Sequence, residues 1–166
     1  MPPKFVHLTY TPPSSANGSV ALIGKGITFD SSGYNLKAGT GSETEAMNRD
    51  KAGAAAVLGA ARTIGLLEPD AGRPQIHFMS ALCENMINAD VTHPGDVVTS
   101  AAGTTIEILN TDAEGRLTLV DALWYAQEIV GVDKIVDIAT LTGDAASTLG
   151  QSTGQSWASL VPRWRP

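Results

Sequence analysis

The feature that most constrains the fold is an alternation of short apolar runs with two longer segments of helical periodicity. The Ala-rich segment 51–66 and the segment 117–130 repeat apolar residues at the spacing of one helix face. Strands are predicted at 5–10, 19–23, 75–82, 104–109 and 134–139. Strands that alternate with helices predict an α/β fold, a mostly parallel sheet with helices on both faces. In such sheets, sites form at the carboxyl ends of strands, where the polar loops of this chain fall.

One polar segment, residues 110–116, lies between a predicted strand and the second predicted helix and reads NTDAEGR. Asp112 and Glu114 are two residues apart, and Arg116 follows two residues later. In an extended turn alternate side chains point the same way, so these three could converge on one site. Two adjacent carboxylates repel each other unless a cation or a proton holds them. A solvated helix N-terminus, where acidic residues are favoured, explains the same spacing equally well.

A glycine-punctuated loop is predicted from 24 to 41, and it begins GKGITFDSSGYNLK. It offers Lys25, Asp30 and Lys37, and its glycines let the backbone turn and approach a ligand closely. The Gly-Lys pair suggests a phosphate-binding loop, although the full G-x-x-x-x-G-K-[ST] pattern is absent. A surface loop with solvated lysines is the other interpretation.

Asp50 precedes the Ala-rich helix, where aspartate is a common N-cap, so by itself it favours a structural role. Its weight comes from the set that it forms with Asp30, Asp112 and Glu114, all at predicted strand ends or helix starts. Hard oxygen ligands of this kind suit Mg²⁺ and Mn²⁺, and Zn²⁺ also accepts carboxylates.

The remaining metal-binding residue types give a weaker signal. His7, His77 and His93 show no metal-ligand spacing, and the first two fall in strand patterns that favour a structural role. The single cysteine, Cys83, rules out a disulfide framework within the chain and favours a buried small residue over a nucleophile.

Charge and hydropathy argue against two classes of partner. A formal net charge of −6 disfavours nucleic acid as a partner. No apolar run approaches the roughly 20 residues that a bilayer-spanning helix needs, so no membrane association is expected. The start of the chain lacks the apolar stretch of a signal peptide. We therefore expect a cytoplasmic protein, with an organelle as the open alternative.

Taken together, these segments resemble the leucyl aminopeptidase family. NTDAEGR stands complete as that family's signature, and GKGITFDSSGYNLK is similar to its lysine–aspartate loop. CENM at 83–86, PGDV at 94–97 and ATLTG at 139–143 match in the same order. The resemblance runs from about residue 20 to residue 150.

The resemblance implies a dinuclear metal centre that uses Zn²⁺ or Mn²⁺, or alternatively Mg²⁺. One ion would be held by Asp30, Asp112 and Glu114, and the other by Lys25, Asp30, Asp50 and Glu114. Two further groups of residues are implied: Lys37 and Arg116 as catalytic residues, and Met47, Thr140 and Gly143 as the lining of the substrate pocket.

The implied reaction is hydrolysis of N-terminal, leucine-like residues from peptides by a metal-activated water, with bicarbonate on Arg116 as the general base. The family also implies a homo-oligomer, a hexamer, or a larger assembly. The alternative is a non-catalytic aminopeptidase homologue that acts as a structural or assembly subunit.

The chain departs from the family pattern in three places and in length. Ser31-Ser32-Gly33 has one glycine fewer than is usual after the first-loop aspartate; Arg49 and Lys51 place cations beside Asp50; and Asp144 replaces a small apolar residue. We expect residues 1–150 to form an incomplete catalytic core and residues 151–166 a divergent C-terminal tail. A chain of this length is expected to be a poor peptidase by itself and to associate with itself or with a partner.

Overall fold

The computed structural model describes residues 2–14, 17–39, 42, 44–69 and 72–150. The predicted tail, 151–166, lies outside the described residues. In the described part, none of the helices is both long and apolar enough to cross a membrane.

The described residues form an α/β fold around one mixed sheet. Its neighbouring strands follow the order β1-β4-β2-β7, and β3 also pairs with β4. Only β1 pairs antiparallel to its neighbour, and the other pairings in this sheet are parallel. A separate two-stranded antiparallel sheet consists of β5 and β6. The strands are β1 (Lys4–Tyr10), β2 (Ser19–Gly24), β3 (Gly26–Asp30), β4 (Gln75–Asn85), β5 (Val97–Thr99), β6 (Thr105–Glu107) and β7 (Lys134–Ile138).

Helices cover both faces of the main sheet, as the sequence predicts. On one face, Ala21, Ile23 and Met79 pack in the core with Leu119 and Ala122 of the second long helix. The alternate residues of the same strands point to the other face, which the first long helix covers. The α-helices are α1 (Ala52–Leu67), α2 (Glu114–Trp124) and α3 (Asp144–Leu149), with 3₁₀ helices at Thr44–Arg49 and Thr111–Ala113 and a π-helix at Tyr125–Val130.

The predicted loop 24–41 is wrong over its first part, because Gly26–Asp30 is strand β3. Ile23 pairs with Met79 and Gly26 pairs with Leu82, so β2 and β3 follow β4 in one register. The two strands form one continuous edge along β4 that is interrupted at Lys25. At that position the backbone N–H turns to the carbonyl of Ile138 in β7, at 3.0 Å.

Helix α1 begins in unusually close contact with the sheet. A Cβ atom at Gly24 would lie 2.5 Å from the carbonyl oxygen of Gly53, and a Cβ at Gly53 would overlap the carbonyl of Ile138. The Ala54 N–H donates to the carbonyl of Lys25 at 2.8 Å. The two glycines therefore let α1 start directly against β2 and β7 and bring Asp50, just before it, to the sheet.

His7 and His77 contact each other across strands β1 and β4, through Nε2 and Nδ1 at 2.9 Å. Burial lowers the pKa of His7, and burial together with the charge of its neighbour lowers the pKa of His77. Both side chains lie within the strand pairing, as their predicted structural role requires.

Candidate metal centre

Lys25 lies at the break between β2 and β3 and is one centre of a buried cluster. Its Nζ is 2.8 Å from Oδ2 of Asp50 and 2.8 Å from Oε1 of Glu114. It also donates to the carbonyl of Thr140 at 2.9 Å. Because only 3% of this residue is exposed, its positive charge is balanced by these carboxylates rather than by water.

Lys25, Asp50 and Glu114 form a largely buried group of one positive and two negative charges. Burial lowers the pKa of Lys25, but the close, negatively charged carboxylates of Asp50 and Glu114 raise it by more, so the net pKa is raised. Burial raises the pKa of Glu114, and Lys25 only partly offsets this. The oxygens Asp50 Oδ2 and Glu114 Oε1 are buried and meet Lys25 as an ion pair, without a well-directed hydrogen bond.

Lys37 is the second centre. Its Nζ contacts Oδ2 of Asp30 at 2.7 Å, Oγ of Ser32 at 2.6 Å, and Oδ1 of Asp112. The Ser32 hydroxyl in turn donates to the same oxygen of Asp112. Lys37 is 24% exposed and Asp112 is 40% exposed, so this centre faces water on one side.

Asp30, at the end of β3, is the buried carboxylate of the Lys37 centre, and one of its oxygens lies within 4.8 Å of one of Glu114. Its Oδ1 accepts from the N–H of Ser32 and from the side-chain amide of Asn85, both at 2.8 Å. Burial by itself raises the pKa of Asp30, but hydrogen bonds from Lys37, Ser32 and Asn85 outweigh it, and the net pKa is lowered. The carboxylate is therefore held in its charged form, as a metal ligand must be.

Asn85, at the end of β4, joins the two centres and was missed by the sequence analysis. Besides Asp30, its Nδ2 reaches the carbonyl of Thr111 at 3.0 Å and Oε2 of Glu114 at 3.5 Å. The available signal was its position in CENM, at the carboxyl end of the central strand.

The donor atoms fit a divalent cation. Oxygens of Asp30, Asp112 and Glu114 lie within 4.8 Å of one another. Carboxylate oxygens are the ligands that Mg²⁺ and Mn²⁺ prefer, and Zn²⁺ accepts them too. The buried oxygens of Asp50 and Glu114 that lack a directed hydrogen bond add a second group of donors next to the first. Two lysine ammonium groups stand among these oxygens, where positive charge is required.

Three interpretations left open by the sequence can now be corrected. Lys25 is buried rather than a solvated loop lysine, and its partners are carboxylates, which leaves no room for a phosphate. Asp50 is not the N-cap of α1, because Lys51 holds that position without a side-chain cap. The carboxylate of Asp50 accepts instead from the Thr140 hydroxyl at 2.6 Å.

The other predicted site residues lie around this cluster. Thr140 belongs to it through both its hydroxyl and its carbonyl. Met47 is half-buried in the 3₁₀ helix that precedes Asp50. The N–H of Asp50 donates to the carbonyl of Met47 at 3.3 Å. Gly143 is exposed just before α3. Arg116 is exposed in the first turn of α2, and among the described residues no ion pair joins it to the cluster.

Comparison with known proteins identifies the family of the chain. Residues 1–161 match the model of the cytosol aminopeptidase family, catalytic domain. The chain belongs to this family. The resemblance inferred from the five motifs is thereby confirmed.

More than half of the aligned residues are identical between this chain and its relatives. The chain is 54% identical over 158 residues to a probable cytosol aminopeptidase of Synechococcus elongatus, and 56% identical over 155 residues to one of Prochlorococcus marinus. A third, from Nostoc punctiforme, is 55% identical over 150 residues. These alignments cover 95%, 93% and 90% of this chain but only 32%, 31% and 29% of the relatives. The chain thus spans about a third of the length of the relatives that it matches.

Proposed function

We propose that this chain carries the metal centre of an aminopeptidase that hydrolyses N-terminal, leucine-like residues from peptides. The observation that carries the proposal is the convergence of two lysines and four carboxylates in one cluster at the carboxyl ends of β2, β3 and β4. The names of the relatives favour the peptidase over a non-catalytic subunit.

Two groups of ligands are proposed. Asp30, Asp112 and Glu114 would hold one divalent ion, and Lys25 with Asp50 would complete the ligands of a second, sharing Asp30 and Glu114. Lys25 would have to bind as the neutral amine. Ions bound there would supply the means to lower the pKa of a water molecule and to polarise a peptide carbonyl. Zn²⁺ and Mn²⁺ are the proposed ions, with Mg²⁺ as an alternative.

Lys37 and Arg116 are proposed as the residues that act on the substrate. The Lys37 ammonium faces water on one side, and once divalent ions neutralise its carboxylate partners it would be available to donate to a carbonyl oxygen that gains negative charge. Arg116, exposed at the start of α2, offers a bidentate site for a small anion. Bicarbonate at this position would accept and return a proton near the cluster.

Substrate selection and assembly extend the proposal. Thr140 touches the cluster directly, and Met47 and Gly143 stand on the segments beside it, so together they would line the pocket for the first side chain. A thioether and a glycine in its lining would suit an apolar, leucine-sized group. We further propose a cytoplasmic homo-oligomer, on the family resemblance alone.

The metal centre is tested by replacing Asp112 with Asn and Glu114 with Gln in one variant. Because two of the three grouped carboxylates lose their charge, bound divalent metal after dialysis is expected to fall to background, and any leucyl-substrate hydrolysis to vanish. The matched control is the double variant Glu107→Gln and Asp137→Asn, which neutralises two exposed carboxylates outside the cluster. Unchanged metal stoichiometry in the first variant contradicts the assignment.

A further inference from the structure

Ser32 occupies a backbone conformation that serine rarely adopts. Its φ is +69°, in the left-handed region that clashes with a Cβ atom and favours glycine. The residue is nevertheless fully buried. A strained backbone persists where the surrounding structure holds it, and such positions cluster at functional sites.

The neighbours of Ser32 hold it against the metal ligands. Its N–H donates to Oδ1 of Asp30 at 2.8 Å, and its carbonyl accepts from the Thr111 hydroxyl at 2.5 Å. Both contacts fix the backbone and aim the side chain at the cluster. The hydroxyl then meets Lys37 at 2.6 Å and donates to Asp112. Ser32 thus contacts two of the three grouped carboxylates, one through its backbone and one through its side chain.

The ammonium of Lys37 is surrounded by three oxygens, those of Asp30, Ser32 and Asp112. This is how a small cation is bound. A divalent ion that binds to Asp30 and Asp112 must displace the ammonium from this position. The lone pair with which the Ser32 hydroxyl accepts from Lys37 is then free, while its proton remains directed at Asp112.

We infer that the Ser32 hydroxyl is a further oxygen ligand of the ion held by Asp30, Asp112 and Glu114, and that it favours Mn²⁺ and Mg²⁺ over Zn²⁺. The inference rests on the proposed metal-dependent function. Mn²⁺ and Mg²⁺ require about six oxygen ligands, so an added neutral oxygen raises their affinity. Zn²⁺ is satisfied by about four ligands and gains less from it.

The test compares Mn²⁺ and Zn²⁺ affinities by titration calorimetry in the 166-residue chain and in three variants. Ser32→Ala removes the hydroxyl and keeps the Cβ, whereas Ser32→Gly also removes the backbone clash and guards against a folding defect in the first variant. Ser31→Ala is the matched control, because Ser31 is a neighbouring buried serine whose hydroxyl bonds backbone groups instead of carboxylates.

The expected result is a loss of Mn²⁺ affinity of about tenfold in both Ser32 variants, with a loss of about threefold or less for Zn²⁺. Ser31→Ala should bind both ions like the unaltered chain. Equal losses of affinity for the two ions would mean that the hydroxyl positions Asp112 without binding the ion. Unaltered Mn²⁺ affinity would mean that it neither binds the ion nor positions Asp112. Either outcome overturns the inference and leaves the proposed function standing. If the unaltered chain binds no divalent ion, the proposed function fails with it.

Discussion

The two lysines of the proposed metal centre make similar contacts in different surroundings. Each ammonium bridges two carboxylates, but Lys25 is 3% exposed and Lys37 is 24% exposed. Around Lys25 both carboxylates are largely buried, whereas Lys37 contacts one buried carboxylate, that of Asp30, and one that is 40% exposed, that of Asp112. Water can therefore replace Lys37 at Asp112, but it has little access to the carboxylates around Lys25.

This difference separates two roles for a positive charge. The buried ammonium of Lys25 is needed to fold the site when metal is absent, because two carboxylates depend on it. The Lys37 ammonium is partly exposed to water. This suits a group that a bound cation would displace from the carboxylates, or that would donate a hydrogen bond to a substrate.

The largest expected effect comes from removing each lysine in turn. In the presence of EDTA, Lys25→Met should lower the free energy of unfolding by about 3–5 kcal/mol, because two buried carboxylates lose their counter-charge. Lys37→Met should cost less, about 1–2 kcal/mol, since water reaches Asp112 and the buried Asp30 keeps its hydrogen bonds from Ser32 and Asn85. Urea denaturation of both variants measures the contrast. Equal losses would show that burial does not separate the two lysines.

A smaller effect is expected from crowding the buried lysine without removing it. A Cβ atom at Gly115 would lie 2.5 Å from Cε of Lys25, so Gly115→Ala must displace that side chain. We expect a net loss of about 1–3 kcal/mol in thermal or urea unfolding, despite the better helix propensity of alanine. Gly59→Ala in α1 is the control, because open space surrounds that position and the same propensity gain should stabilise the chain. An unchanged free energy of unfolding in Gly115→Ala would show that the Lys25 side chain moves aside without cost.

The smallest effect concerns Lys51, next to Asp50. Its ammonium is exposed and points to the carbonyl of Thr28 at 3.3 Å. Its repulsion of a cation at Asp50 is therefore screened, and Lys51→Met should tighten metal binding by about fivefold at most. Calorimetry that shows equal or weaker binding would exclude a charge effect of Lys51 on the Lys25 side of the centre.

The sequence predicted the elements with strong periodicity. Both long helices and the strands of the main sheet lie close to their predicted positions, except β3. That strand was missed because glycines stand on both sides of Ile27-Thr28-Phe29, and glycine clusters usually mark loops. Its pairing with β4 depends on a register that local sequence does not reveal.

In the candidate site, spacing predicted which carboxylates converge but not how the chain presents them. Asp112 and Glu114 do come together, although the segment is a 3₁₀ turn that leads into α2 and not an extended turn. The helix begins at Glu114, so the two-residue alternation ends there and Arg116 is exposed. The burial of Lys25 and the contacts of Ser32 depend on distant parts of the chain, which no local pattern encodes.

The close contact at the start of α1 limits how sequences like this one can change. A side chain at Gly24 would clash with the backbone of Gly53. A side chain at Gly53 would clash with the backbone carbonyl of Ile138. A substitution at either position must displace the backbone of the facing element, and replacing one glycine does not relieve the clash at the other. We therefore expect substitutions to be tolerated less readily at these two glycines than elsewhere on α1, because they let the helix start where it delivers Asp50 to the sheet.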